Sequence, residues 1–162
     1  MDHLWSPWRY RYVTREGPKP DCIFCDKLKS GSDQENLILF RAESCFGLLN
    51  LYPYTNGHMM IAPYKHVARI EDLAEPAWIE LMRYGRLAER NIRKLYGCDG
   101  LNLGFNIGSV AGAGVAGHIH LHILPRWEGD ANFMTVVGET RVLAEDVNET
   151  WRKLSAAEWA LD

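Results

Sequence analysis

Apolar residues recur along this chain with two periods, and the change between them predicts the order of its elements. Between residues 75 and 96 the apolar positions return every three or four residues, which is typical of an amphipathic helix. They are Trp78, Leu81, Met82, Gly85, Ala88, Ile92 and Leu95. Pro76 suits the first turn of this helix and Gly97 suits its C-terminal cap, so one long helix is predicted over 75–96.

Five shorter apolar stretches have the length and composition of β-strands. They cover residues 37–40, 45–50, 58–62, 101–106 and 118–124. A turn over 53–57 separates the second strand from the third, which Pro63 ends. Residues 22–30 predict a short N-terminal helix ended by Gly31, and residues 142–161 predict a mostly helical C-terminal segment. Strands joined by short turns around one long helix predict an α+β fold with an antiparallel sheet.

The two ends of the chain differ from its middle. Residues 1–20 are aromatic and basic, and their prolines argue against regular structure. We interpret them as an arm that packs on the domain or on a partner subunit, the alternative being an arm that stacks on nucleic acid. Residues 128–162 are interpreted as a C-terminal extension. Residues 1–162 together are predicted to form a single domain.

Composition and charge narrow the functional classes. The chain has 162 residues, 47% of them hydrophobic, and its net charge of −3 provides no basic field for nucleic acid. No apolar run has membrane-spanning length, and the N-terminus lacks the features of a secretory signal. We therefore expect a cytoplasmic location and neither a nucleic-acid nor a membrane partner. Four cysteines are too few for a disulfide scaffold, which leaves them reduced, metal-bound or in the core.

The most informative stretch places three histidines at alternating positions of the fifth predicted strand, namely His118, His120 and His122. Every second side chain of a strand faces the same way, so the three imidazoles share one face while the apolar residues between them pack into a core. Burying three titratable rings together is costly unless they share a task. Two tasks fit: metal ligation, and nucleophilic attack on phosphorus by a neutral imidazole.

The segment before these histidines favours phosphorus chemistry. Residues 108–117 contain four glycines and lead directly into the predicted strand. Glycines let backbone N–H groups approach a phosphate closely, although many glycine-rich loops are only turns. The same segment has no Asp or Glu, which disfavours a hard cation such as Mg²⁺.

A pair of cysteines indicates a second site. Cys22 and Cys25 have the spacing of half a tetrahedral zinc site, and the same spacing is also compatible with a redox pair or with simple burial. Cys45 and Cys98 stand apart in the sequence, so the remaining zinc ligands would be histidines.

In two blocks the sequence resembles the histidine triad (HIT) family. The first block is the alternating stretch from His118 to Leu124, and the second runs from Asn50 to His66 as NLYPYTNGHMMIAPYKH. The resemblance covers residues 22–127, and the combination of both blocks is specific. The N-terminal arm and the segment after Pro125 look like a bacterial branch. That branch hydrolyses or phosphorolyses dinucleoside polyphosphates such as diadenosine tetraphosphate.

The resemblance implies three catalytic residues. His120 would be the nucleophile that attacks the α-phosphate of an adenosine nucleotide and forms a nucleotidyl-histidine intermediate, which water or phosphate would resolve. A hydrogen bond from its other ring nitrogen to a backbone carbonyl would fix the tautomer. His122 and His58 would donate to phosphate oxygens as charge develops.

Substrate-binding residues also follow from the resemblance. Asn50 would hold the ribose hydroxyls, and Asn106 would be a phosphate-side amide; taken alone, the first is a turn residue and the second a strand cap. The base would lie on apolar side chains, with Ile23, Phe46 and Leu48 as candidates.

One position departs from the family pattern. Val115 stands where many members have Ser or Thr, three residues before the first triad histidine. The backbone N–H groups of Gly112 and Gly114, or the hydroxyl of Ser109, would have to supply the missing donor. The resemblance therefore does not imply the leaving-group preference of the phosphoramidase members.

The resemblance further implies a structural zinc ion and a homodimer. His66 and His118 would complete the zinc site of Cys22 and Cys25, and no organic cofactor is implied. The long helix and the last strand would form the dimer interface and extend the sheet. Three alternatives stay open: an AMP-binding regulatory module with little turnover, a nucleoside phosphoramidase, and a metalloenzyme with all three triad histidines on one ion.

Overall fold

The centre of the fold is a five-stranded antiparallel sheet, as predicted. Its strand order, which the sequence analysis did not predict, is β1-β2-β3-β5-β4. The computed structural model describes residues 21–29, 31–130 and 143–161. The strands are β1 (Ile38–Arg41), β2 (Cys45–Leu49), β3 (Met59–Pro63), β4 (Gly100–Phe105) and β5 (Leu121–Arg126). The predicted arm over 1–20 and the part of the C-terminal extension over 131–142 lie outside the described residues.

The described residues contain four α-helices: α1 (Ile23–Lys29), α2 (Asp33–Asn36), α3 (Glu75–Tyr96) and α4 (Val147–Ser155). Helix α3 has the predicted bounds, because Pro76 lies in its first turn and Gly97 adopts a left-handed φ of 55° to end it. Among the described residues, no helix is both long and apolar enough to cross a membrane.

The C-terminal helix is shorter than the predicted range of 142–161. Helix α4 begins after Asp146, whose side chain accepts a hydrogen bond from the Asn148 N–H and so caps the first turn. It ends at Ser155. Helix α2 was not predicted from the sequence; Ser32 caps it.

The two faces of the sheet bury different sets of residues. Leu121 and Ile123 of β5 face helices α3 and α4 in the larger hydrophobic core, together with Leu81 and Leu154. The opposite face packs against α1, where Phe24 is fully buried. Because side chains alternate along a strand, His122 falls on the α1 side.

The fifth strand begins three residues later than predicted, at Leu121 instead of His118. Pairing with β3 ends at Ile61 opposite Leu121. Beyond that point the chain pairs with a loop, since the Ile119 N–H donates to the carbonyl of Val67 over 2.7 Å. His118 and His120 therefore lie in the segment that leads into the strand, and only His122 lies in β5.

Candidate functional site

Four histidines of the predicted site are buried on the α1 side of the sheet. The exposed fractions are 0% for His118, 4% for His120, 8% for His122 and 1% for His58. Burial disfavours the charged imidazolium, so it lowers the pKa of each ring below its ordinary value. These histidines are therefore neutral at neutral pH, as both ligation and nucleophilic attack require.

The ring of His120 has a defined tautomer. Its Nδ1 lies 2.8 Å from the backbone carbonyl of His118, which can only accept, so Nδ1 carries the proton and Nε2 carries the lone pair. No described residue hydrogen-bonds to Nε2, and this atom is not among the fully buried polar atoms that lack a partner. Phe24 packs against the ring with a centroid separation of 4.7 Å. Nε2 is thus available as a nucleophile.

His58 and His122 form a hydrogen-bonded pair. Nε2 of His58 lies 3.0 Å from Nδ1 of His122, so the two rings are directly connected. Burial, and then the neighbouring histidines, lower the pKa of His58 to about 3 and that of His122 to about 4. In the sheet, His122 lies between Met60 and Gly104. Because Gly104 has no side chain and a Cβ there would meet no atom within 4 Å, the space beside His122 is open.

Asn50 is placed next to His58. Its Nδ2 lies 3.3 Å from Nδ1 of His58, and its Oδ1 accepts a hydrogen bond from the Tyr52 N–H over 3.0 Å. The backbone N–H of Tyr54 also donates to Nδ1 of His58, over 3.2 Å. The Tyr54 ring covers His58 with a centroid separation of 4.8 Å, a contact that the sequence analysis missed.

The glycine-rich loop brings Asn106 and Gly112 together. Gly112 has a φ of +88°, and a Cβ there would lie 4.0 Å from the Asn106 side-chain nitrogen. The Gly112 N–H donates to the carbonyl of Ser109 over 3.0 Å, so it is used within the loop in this structure. The Gly114 N–H makes no hydrogen bond to any described residue. Ser109 is exposed, as a phosphate contact requires.

Two of the candidate base-binding side chains are core residues. Phe46 and Leu48 are 0% exposed and belong to the hydrophobic cluster behind the histidines, so neither can contact a base as they stand. Ile23 and Val115 lie partly buried at the border of the same cluster. Phe24, which contacts both His118 and His120, was also missed by the sequence analysis. Its position between Cys22 and Cys25 was the only feature of the sequence that could have indicated this contact.

The four predicted metal ligands lie close together in the folded protein. Ligand atoms of Cys22, Cys25, His66 and His118 all lie within 4.8 Å of one another, the only such group within the described ranges. Nδ1 of His118 is 3.3 Å from the Cys22 sulfur and 3.7 Å from that of Cys25, and Nδ1 of His66 is 3.3 Å from the Cys25 sulfur. A tetrahedral zinc ion with bonds of about 2.0–2.3 Å requires separations of about 3.3–3.8 Å between its ligands.

The surroundings of this cluster also suit a metal. Nε2 of His118 donates to the carbonyl of Pro63 over 2.9 Å, which leaves Nδ1 with its lone pair toward the cysteines. Burial, followed by the neighbouring Cys22, raises the pKa of the Cys25 thiol, so a metal would displace protons when it binds. His120 and His122 lie outside the cluster, which contradicts the alternative of one ion held by all three triad histidines.

Comparisons with known proteins agree on one family. The sequence model of the HIT domain family matches residues 32–129 of this chain. The chain is 37% identical over 167 residues to an AP-4-A phosphorylase of Mycobacterium tuberculosis, covering 99% of this chain and 85% of that protein. It is 29% identical over 111 residues to an asymmetrical bis(5'-nucleosyl)-tetraphosphatase of Schizosaccharomyces pombe, covering 68% and 58%.

A solved structure has the same fold. It is a zinc-bound histidine triad family protein from Mycobacterium smegmatis, with a TM-score of 0.66 and 28% identity. The match covers 83% of this chain and 91% of that one.

Proposed function

Because this chain belongs to the HIT domain family, we propose that it is an enzyme that cleaves dinucleoside polyphosphates through a nucleotidyl-histidine intermediate. One observation carries the proposal: the hydrogen bond from Nδ1 of His120 to the His118 carbonyl leaves Nε2 unprotonated and nucleophilic. The relatives that act on such substrates support the substrate class.

The first half-reaction is the attack of His120 on the α-phosphorus. A bond forms between Nε2 and phosphorus, and the bond from phosphorus to the bridging oxygen breaks. With diadenosine tetraphosphate the leaving group is ATP, and AMP stays on His120. Water or inorganic phosphate then attacks the same phosphorus, which frees His120 and gives AMP or ADP respectively.

His122 is the donor to the phosphate oxygens as negative charge develops, and His58 acts through its hydrogen bond to His122. In oxyanion holes, the loss of one such donor reduces kcat by about 10²–10³-fold. The open space beside Gly104 supports phosphate binding at His122.

The remaining substrate contacts are assigned to two segments. Asn50 holds the ribose hydroxyls with the part of its amide not used by His58. Asn106 and the Gly114 N–H contact the phosphates, Ser109 supplies a hydroxyl, and the Gly112 N–H takes part only if the turn to Ser109 opens. The partly buried Val115 does not provide the hydroxyl found in many relatives.

Cys22, Cys25, His66 and His118 would hold a structural zinc ion. Three separations between the ligand atoms, at 3.3, 3.3 and 3.7 Å, suit tetrahedral coordination, and the zinc-bound relative supports the choice of metal. When bound, the ion cross-links the start of α1 to the segment that carries His118. It supplies no step of the reaction.

The proposed assembly is a homodimer that extends the sheet. The last strand, β5, lies between β3 and β4 and so cannot extend the sheet as expected, whereas no described strand pairs with the outer edge of β4. Leu103 on this strand and Ile79 and Met82 on α3 are exposed apolar side chains, which favours an interface there. Light scattering of the purified protein tests the proposal, which fails if the protein is a monomer.

Product analysis on diadenosine tetraphosphate, with and without inorganic phosphate, tests the function. We expect ATP and ADP only with phosphate if the protein is a phosphorylase, and AMP with ATP without phosphate if it is a hydrolase. The 37% identity to an AP-4-A phosphorylase favours the first outcome. Micromolar AMP binding with no cleavage under either condition would instead identify a nucleotide-binding module.

Mass spectrometry of the protein quenched in alkali tests the intermediate. We expect an AMP adduct on the wild-type protein and none on His120→Asn. His122→Asn is the matched control, because it keeps the nucleophile and should form the same adduct about 10²–10³ times more slowly. An adduct on His120→Asn would show that another residue is the nucleophile.

A further inference from the structure

We propose that the C-terminal segment over 143–161 belongs to the catalytic apparatus, and that Asn56, which ties it to the turn before His58, is a positioning residue. The segment lies beyond residues 32–129, the part of the chain that the HIT domain family matches. The inference rests on the proposed function for its catalytic meaning. The tie itself consists of hydrogen bonds in the substrate-free protein.

The turn over 53–57 sets the position and the proton of His58. The backbone N–H of Tyr54 donates to Nδ1 of His58 over 3.2 Å, and the His58 N–H donates to the carbonyl of Thr55 over 3.2 Å. Because a backbone N–H can only donate, Nδ1 of His58 holds a lone pair and its ring proton is on Nε2. That proton is donated to Nδ1 of His122 over 3.0 Å. Displacing this turn would therefore displace the ring that holds His122.

Asn56 joins the turn to the C-terminal segment. Its side chain faces the backbone N–H groups of Ala144 at 3.2 Å and of Glu145 at 3.3 Å. Since both groups can only donate, the atom that faces them is the amide oxygen. One partly buried side chain of the turn thus accepts from two successive backbone donors of a distant segment.

Glu145 is itself fixed to two helices. Its Oε2 accepts from the Tyr96 hydroxyl at the end of α3 over 2.8 Å and from the Thr150 hydroxyl in α4 over 2.7 Å, and its Oε1 binds Lys153. Burial raises the pKa of the Glu145 carboxyl, but these three hydrogen bonds outweigh it and keep the pKa below its ordinary value. The charged carboxylate therefore holds in place the backbone donors that Asn56 meets.

The rest of the C-terminal segment is anchored to the body of the fold. The indole N–H of Trp151 donates to the carbonyl of Ile38 in β1 over 2.9 Å, and Nδ2 of Asn91 in α3 donates to the carbonyl of Glu158 over 2.8 Å. Leu154 is 0% exposed in the larger hydrophobic core. The segment is thus a fixed support for the turn.

The turn depends on this support because its own structure is irregular. Residues 50–58 belong to no helix or strand. A small cavity lies between His58 and Asn50 on one side and Glu145 and Thr150 on the other, so packing alone does not fix the distance between the two segments. The hydrogen bonds of Asn56 therefore bear on how firmly the turn is held.

Amide hydrogen exchange followed by NMR, without substrate, tests the tie. In Asn56→Ala we expect the Tyr54 N–H to exchange about 5–10-fold faster than in the wild type, the effect of weakening one hydrogen bond. The N–H of Leu49, which donates to the Leu37 carbonyl in the sheet, should change only as far as global stability changes. Asn148→Ala is the matched control, because it removes an exposed amide from the same segment that bonds to Asp146 and not to the turn.

Two exchange results would overturn the tie: an unchanged Tyr54 N–H in Asn56→Ala, or the same acceleration in Asn148→Ala. Tyr96→Phe removes a single hydroxyl that holds Glu145 and should accelerate the same amide by a smaller factor. This variant supplies the answer if Asn56→Ala does not fold.

Steady-state kinetics on diadenosine tetraphosphate tests the catalytic part. In Asn56→Ala kcat should fall by about 10–100-fold, because a displaced His58 no longer holds His122 in its donating position. KM should stay close to the wild-type value, since the Asn56 side chain is not a substrate contact, and Asn148→Ala should keep both constants. An unchanged kcat in Asn56→Ala would overturn the inference and leave the proposed function standing.

The opposite combination separates the two proposals. Faster exchange at the Tyr54 N–H of Asn56→Ala, together with no cleavage of dinucleotides by the wild type, would refute the proposed function. The tie between the turn and the C-terminal segment would then stand as a structural fact without a catalytic meaning.

Discussion

Acidification should destabilise this protein, and His58 should account for a large part of the effect. The ordinary pKa of histidine is 6.5, whereas burial and the neighbouring histidines lower the pKa of His58 to about 3. Below pH 6.5 the unfolded chain binds a proton at this residue and the folded protein does not. The stabilisation is therefore fully present above pH 6.5 and is lost as the pH falls toward 3.

The size of the effect follows from the same two pKa values. At pH 4 the pH lies about 2.5 units below the pKa of His58 in the unfolded chain but still above its pKa in the folded protein. At 1.36 kcal/mol per unit, proton binding at this residue stabilises the unfolded state by about 3 kcal/mol between pH 6.5 and pH 4. Urea denaturation followed by tryptophan fluorescence measures the free energy of unfolding across this range. His58→Gln is the comparison, because glutamine does not titrate.

The difference between wild type and His58→Gln removes the contributions of the groups that do not interact with His58, including the protonation of the metal ligands Cys22 and Cys25. We expect the wild type to lose about 3 kcal/mol more than the variant between pH 6.5 and pH 4. Equal losses in the two proteins would refute the conclusion that His58 is buried in its neutral form.

Two further predictions concern metal and packing. Cys25→Ser should abolish stoichiometric zinc in elemental analysis and lower the melting temperature, whereas Cys98→Ser should retain the zinc; retention in Cys25→Ser would contradict the four-ligand site. Gly47→Ala should destabilise by about 1–3 kcal/mol in urea denaturation, because its Cβ would come within 3 Å of the buried Phe40 ring. Gly100→Ala, with no atom within 4 Å of the new Cβ, is the control, and an equal loss there would refute the packing argument.

Much of the candidate site could be predicted because its residues lie in short, patterned segments. The alternation from His118 to His122 predicted which side chains share a face, and the structure has Ile119 and Leu121 buried along with the three histidines. The carbonyl that fixes the His120 tautomer belongs to His118, only two residues away. Contacts of this range depend on local backbone geometry, which the sequence specifies directly.

Other features of the site depend on segments that are far apart in the chain. Nothing local to His58 indicates that its ring hydrogen-bonds to His122, 64 residues later. The sequence could not show whether Phe46 and Leu48 pack in the core or contact a base, since both roles require an apolar side chain. The Gly112 N–H was expected to be available, but the turn to Ser109 uses it.

Local sequence patterns were sufficient to predict most of the elements and the chemistry of the site, although helix α2 was not predicted. Helical spacing with Pro76 and Gly97 set both ends of α3, and the alternating histidines indicated which side chains carry the chemistry. The start of β5 and the contacts between distant groups depend instead on the whole sheet, through strand pairing and packing. Local preferences act within a few residues, whereas the proximity of Cys25 to His66, or of Asn50 and His58 to His122, exists only after the strands have paired.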